Sequence, residues 1–257
     1  MKILPLKALS FLSLLGSLTG IASKSPPYSE VFPSWNDVAS MAHLSHLVYK
    51  FKSDVGFTCA NFTSFAPKNE TKDISCEWYT HDYNLGTQVL LVSNMKEKYI
   101  AVVFAGTDDI RTSLEDTNIM SKQFGNNKTV RLTNETDQRY EYVRVHAGFN
   151  NAVFTHGIWE QIYSRTQELL QKEPSFRLWT TGHSLGGANA ILTATAFASL
   201  DHNRKVLSVS FGCPETGNYY WKEFFNSTSY LTDNLGIWRV VLGWDLVPRL
   251  PQFFYRE

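Results

Sequence analysis

The chain has 257 residues, 43% of them apolar and 14% aromatic, which is enough to build one large globular domain and too apolar for a disordered chain. Lys plus Arg and Asp plus Glu both number 24, with no basic block and no acidic tail, and this balance argues against nucleic acid as a partner.

At the N-terminus Lys2 and Lys7 precede an apolar run over 8–21, and small residues follow at Gly20, Ala22 and Ser23. This is the layout of a secretory signal peptide cleaved near Ala22. It divides the chain into a signal over 1–22 and a single domain over 23–257. The alternative, a signal anchor, is disfavoured because the run is short against the roughly 18 apolar residues of a membrane span. Five acceptor triplets begin at Asn61, Asn69, Asn127, Asn134 and Asn226, each with Thr at the third position and none with Pro in the middle. Together with the signal they point to an exported glycoprotein, secreted or held in the endomembrane lumen.

Further along, 34–51 carries apolar residues near helical spacing behind a Ser34 cap. Cys59 and Cys76 bracket a polar loop and are placed to close it with a disulfide in an oxidising compartment. Cys213 is then left over. It follows an apolar run, as a buried inert thiol would, and a partner cysteine missing from this chain would also produce the odd count.

The runs 88–93 and 99–104 read as strands joined by a turn over 94–98, and 148–172 reads as one long helix stopped by Pro174. A short strand over 176–181, a buried Ala-rich helix over 185–200 and strands over 206–211 and 238–242 complete the pattern. Strands alternating with helices predict a mainly parallel sheet with helices on both faces. Functional groups then belong at the carboxyl ends of the strands.

One such end carries Gly182-His183-Ser184-Leu185-Gly186, a Gly-x-Ser-x-Gly pattern set between an apolar strand and an Ala-rich helix. A serine on so sharp a turn needs glycine two before and two after it for steric room. Ser184 is the candidate nucleophile. The amide of Leu185, at the start of the next helix, is a natural donor to a developing oxyanion.

Four further stretches, in the same order, make the chain resemble the fungal-type class 3 lipases of the α/β-hydrolase superfamily. Ile100 to Thr107 resembles the family's strand and oxyanion loop, which makes Thr107 the second expected oxyanion donor, although Ala105 stands where the family usually has Arg. Val145-His146-Ala147-Gly148-Phe149 resembles the family's His-x-Gly-Phe segment, with His146 expected to be structural. Phe211-Gly212-Cys213-Pro214 matches the segment after the next strand, with Cys213 where Ser is usual. The run Asp245-Leu246-Val247-Pro248-Arg249-Leu250-Pro251 matches the motif around the triad acid, so the resemblance makes Asp245 that acid. By the same resemblance 109–124 covers the region of a mobile lid, without the Trp the family often has near Leu114.

The triad order in this superfamily is Ser, acid, His. Only 12 residues follow Asp245 and none is histidine, so the resemblance implies that the C-terminal part of the fold, with its triad histidine, is missing. Two functions from different classes follow. The first is a secreted carboxylic ester hydrolase acting on lipid or other ester substrates through a serine acyl-enzyme, with a lipid–water interface as one place of action. The second is a non-catalytic secreted glycoprotein that uses the same scaffold for binding. Neither a metal nor another cofactor is implied, because no ligand spacing and no phosphate-binding glycine loop is present.

Overall fold

Ser34 and Asp37 start the first helix by satisfying each other's backbone. Ser34 Oγ accepts from the Asp37 N–H at 3.1 Å, and Asp37 Oδ2 accepts from the Ser34 N–H at 2.9 Å. The computed structural model describes residues 32–51, 56–65, 71–107, 121–126, 130 and 142–250. Helix α1 spans Trp35–Leu47 and continues as a 3-10 turn, Val48–Lys50.

The centre is a six-stranded sheet. Its strands are β1 (Ile74–Asp82), β2 (Thr87–Asn94), β3 (Tyr99–Phe104), β6 (Arg177–His183), β7 (Val206–Phe211) and β8 (Leu235–Val240), in the order β1-β2-β3-β6-β7-β8. The first three form an antiparallel meander, and β3, β6, β7 and β8 pair in parallel. A two-stranded ribbon of β4 (Ser121–Lys122) and β5 (Val145–His146) stands apart.

The pleat sorts side chains onto two faces. Val89, Leu91, Ile100, Val102 and Phe104 pack into one apolar cluster, with α2 (Ala147–Phe154), α3 (Ile158–Lys172) and α4 (Leu185–Leu200). Leu90, Val92, Tyr99, Ala101 and Val103 pack into a second cluster against Met41, Leu44, Leu47 and Val48 at the other face. Each large side chain of these clusters, buried as fully as Phe104, contributes about 1.5–3 kcal/mol. Helices α5 (Tyr219–Ser227) and α6 (Ser229–Asn234) lead into β8.

Cys59 and Cys76 are joined in a disulfide with their Cα atoms 5.1 Å apart, which ties the turn Cys59–Asn61 to β1. Cys213 is free and buried. No helix among the described residues is long and apolar enough to cross a membrane.

The expected elements 99–104, 185–200 and 206–211 match β3, α4 and β7 residue for residue, and three readings are corrected. The stretch 148–172 is two helices, because His156 and Gly157 both take left-handed backbone, at φ 52° and 73°, and break the helical ladder between them. The stretch before β2 contains β1. Its half-exposed side chains and the bulge between Cys76 and Trp78 belong to an edge strand, which lacks the apolar run that marks a buried one. The last strand begins and ends earlier than 238–242, because its register on β7 runs from Val206↔Leu235 to Phe211↔Val240.

The signal over 1–22 and the sequons at Asn69, Asn127 and Asn134 lie outside the described residues, as does 109–120 of the lid comparison. Of the other two sequons, Asn226 is exposed. Asn61 is partly engaged, its Nδ2 donating to the Gly56 carbonyl at 3.0 Å.

Candidate active site

β6 delivers Ser184 to the carboxyl edge of the sheet. The residue adopts φ 55° and ψ −129°, a left-handed backbone that a non-glycine residue takes only where its surroundings hold it there. Two hydrogen bonds do so. The Ser184 N–H donates to the Phe211 carbonyl at 2.9 Å, and the Ser184 carbonyl accepts from the Gly187 N–H at 2.9 Å. Ser184 is 1% exposed, and its Oγ, among the described residues, has no hydrogen-bond partner.

The flanking glycines are required by contact. A Cβ at Gly182 would fall on the Gly186 carbonyl and lie 2.9 Å from the Gly187 nitrogen. One at Gly186 would strike the Phe104 carbonyl oxygen and sit 2.7 Å from the Ala105 carbonyl carbon. One at Gly106 would strike the Tyr49 hydroxyl and lie 2.6 Å from the His183 carbonyl oxygen and 3.3 Å from Ser184 Cβ. Three backbones, the end of β3, the elbow and the start of α4, therefore meet without intervening side chains.

That meeting sets the candidate oxyanion donors. Thr107 directly follows Gly106, and its Oγ1 is buried without a hydrogen-bond partner among the described residues. Leu185 is the first residue of α4, where backbone N–H groups have no intrahelical acceptor and the helix dipole is positive. Two buried polar groups without partners, Ser184 Oγ and Thr107 Oγ1, thus lie on adjoining segments. Such groups cost free energy unless something satisfies them, and a bound oxyanion would satisfy Thr107.

Asp245 comes to the same edge from β8. Its Oδ2 would lie 3.0 Å from a Cβ on Gly212, and His183 Nε2 would lie 3.6 Å from that same point. Gly212 can approach so closely because it has φ 56° and no side chain. The carboxylate is half-buried, and its Oδ1 accepts from the Val247 N–H at 3.1 Å. Arg239 braces the surrounding loops by donating through Nη2 to the Cys213 carbonyl at 2.6 Å and to the Pro248 carbonyl at 3.1 Å. Burial pushes the Cys213 thiol up to about 11, against the opposing pull of Arg239, so it stays protonated.

The histidines have other partners. His146 Nδ1 accepts from the Gly148 N–H at 3.2 Å to cap α2, and the ring stacks on Phe149 at 4.3 Å. Burial holds its pKa below the ordinary histidine value. His156 pairs with Asp82 at 2.7 Å, and His202 Nε2 lies 3.1 Å from the Ser199 carbonyl oxygen. His183 points its Nδ1 at the Tyr49 hydroxyl, 3.1 Å away. Tyr49 and Arg239 are the site's neighbours that residue patterns do not reveal. Tyr49 reads as the last turn of an amphipathic helix, and Arg239 as one residue of a strand.

A mainly parallel sheet covered on both faces, with a serine on a strained strand-to-helix turn at its carboxyl edge, defines the α/β-hydrolase fold. The comparisons with known proteins narrow this. The model of the family described as lipase (class 3) matches residues 101–255, and the chain belongs to that family. A lipase of Rhizopus niveus is 25% identical over 261 residues, covering 93% of this chain and 60% of the relative. A secreted mono- and diacylglycerol lipase of Malassezia restricta is 25% identical over 191 residues, covering 72% of this chain and 54% of the relative. Among solved structures, lipase II from Rhizopus niveus superposes with a TM-score of 0.66 at 21% identity, over 86% of this chain and 76% of that one. A triacylglycerol lipase from Penicillium expansum gives 0.65 at 20% identity, over 86% and 76%. The chain spans about 60% of the length of the Rhizopus relatives it matches.

Proposed function

We propose that this protein is a secreted carboxylic ester hydrolase that acts on lipid esters through a serine acyl-enzyme. The observation that carries the reading is Ser184, held at φ 55° on a segment adjoining that of Thr107, with Ser184 Oγ and Thr107 Oγ1 both buried without a hydrogen-bond partner among the described residues. Ser184 is the nucleophile in this reading. The Thr107 hydroxyl and the Leu185 N–H receive the oxyanion, and Asp245 is the acid that orients the base. The names of the relatives support a lipid ester as substrate, and one of them is named as secreted.

Attack by a serine hydroxyl requires a base to take its proton. No histidine occurs after His202, and no described histidine hydrogen-bonds to Ser184 Oγ. Without the base such a triad loses on the order of a million-fold in turnover, while the oxyanion donors and binding pocket retain roughly a thousand-fold over water. The protein as secreted is therefore the material to test.

The test treats the native secreted protein and its Ser184→Ala variant with a fluorophosphonate, with the intact mass of the deglycosylated protein measured alongside. One covalent adduct per chain on Ser184, absent from the variant, is the expected result. A native protein that stays unlabelled would sink the hydrolase reading and favour the non-catalytic binding role.

A further inference from the structure

The turn Val48–Lys50 lies across the sheet from α4, yet it reaches the junction where β3 and β6 end. There the Tyr49 hydroxyl oxygen accepts a hydrogen bond from the Gly106 N–H at 2.9 Å. The same oxygen lies 3.1 Å from His183 Nδ1 and 3.5 Å from the His183 carbonyl oxygen. A phenol has one proton to give. It can go to Nδ1 or to the His183 carbonyl oxygen, and the imidazole tautomer decides which. The rings cross edge to face with their centroids 6.1 Å apart.

Gly106 immediately precedes Thr107, and His183 immediately precedes Ser184. One hydroxyl thus joins the residue before the candidate oxyanion threonine to the residue before the candidate nucleophile. Gly106 lies two residues past the end of β3 and His183 ends β6, its parallel neighbour, and the last ladder pair of the two strands is Phe104↔Gly182. Past that pair no strand hydrogen bond sets the distance between the two segments. We infer that Tyr49 is a positioning residue that sets the separation between the two halves of the oxyanion hole, Gly106–Thr107 from β3 and Ser184–Leu185 from the elbow. The inference rests on the hydrolase reading above.

The glycine at 106 fits this role. A Cβ there would strike the Tyr49 hydroxyl, so the amide is bare in order to receive it. Without the hydroxyl, the buried Gly106 N–H loses its acceptor, and nothing in the ladder replaces it. Removing an oxyanion donor outright costs about a hundred- to a thousand-fold, and misplacing one by about an ångström costs on the order of a hundred-fold.

The test is Tyr49→Phe, which keeps the ring and removes the oxygen, read by two measurements on the secreted protein. In the first, fluorophosphonate labelling is followed over a concentration series. The maximal labelling rate should fall by about ten- to a hundred-fold with the half-saturating concentration unchanged. In the second, amide hydrogen exchange should accelerate at Gly106 while α4 and β6 exchange as in the parent. A merely structural tyrosine would loosen α1 and the sheet together and leave the two labelling constants moving in step.

An unchanged maximal rate would overturn the inference, even with faster Gly106 exchange. So would Gly106 protection equal to that of the parent. If the parent itself is not labelled, the hydrolase reading fails on that count alone. The exchange then decides the contact separately: protection lost at Gly106 in the variant sustains the clamp, and equal protection removes it.

Discussion

Gly186→Ala sets two effects of opposite sign against each other. Gly186 lies in the first turn of α4, so alanine gains about 1 kcal/mol of helix propensity. The new Cβ, however, would meet the Phe104 carbonyl oxygen and stand 2.7 Å from the Ala105 carbonyl carbon. Ordinary contact begins near 3.4 Å, so the end of β3 and the start of α4 must part by at least roughly 0.7 Å, and further to clear the Phe104 oxygen. Overpacking of this kind costs about 1–3 kcal/mol, which leaves a net loss of at most about 2 kcal/mol after the helix gain. For a domain of this size that lowers the melting temperature by at most about 8 °C.

The effect on the site is larger, because the displaced backbone carries Thr107 on one side and Leu185 on the other. A shift of that size is expected to lower the rate of phosphonate labelling by on the order of a hundred-fold. The assay pairs thermal unfolding with the labelling rate measured well below the transition. A variant that labelled at the parental rate, or melted higher than the parent, would show that the three backbones are not in the contact on which this reasoning depends.

Two other expectations concern stability. Replacing Cys59 and Cys76 by Ser opens a loop of 17-residue separation and should lower the unfolding free energy by about 3 kcal/mol. Denaturant titration would check it, and phosphonate labelling should persist, since the disulfide lies at β1 and away from the elbow. At Asp82 burial tends to raise the pKa, but hydrogen bonds from His156, Leu85 and Asn84, with the His156 charge, outweigh it and hold the carboxyl below its ordinary value. A depressed folded pKa stabilises the fold above the unfolded value and loses that contribution as pH falls through the folded one. Asp82→Asn should therefore melt lower than the parent at neutral pH, and the gap should close below about pH 4, as thermal scans across pH would report.

Much of this molecule was legible residue by residue. α4, β3 and β7 could be read to their ends because each is long, apolar and bounded by a glycine, a turn or a cap. Ser34 marked the start of α1 through a capping box that needs only a local pair of side chains. The edge strand β1 was not legible, since its mostly half-exposed residues, such as Cys76, Tyr79 and Thr80, resemble a polar loop until a partner strand is present. The break in 148–172 was signalled only by Gly157, and glycine inside a helical pattern is tolerated often enough that the signal did not decide it.

At the site, the motif at Ser184 and the glycines around it could be read from the residues alone, because a strained turn admits few residues and so writes its constraint locally. The same holds for the finding that no histidine follows Asp245 within these 257 residues. Folding alone brings Asp245 against Gly212, lets Arg239 brace Cys213 to Pro248, and joins Gly106 to His183 through the Tyr49 hydroxyl. These contacts join residues far apart in the chain, 134 positions in the case of Tyr49 and His183. A local pattern records the backbone each residue can adopt. Which distant side chain completes a hydrogen bond is set by the order of strands in the sheet and the face on which each helix packs.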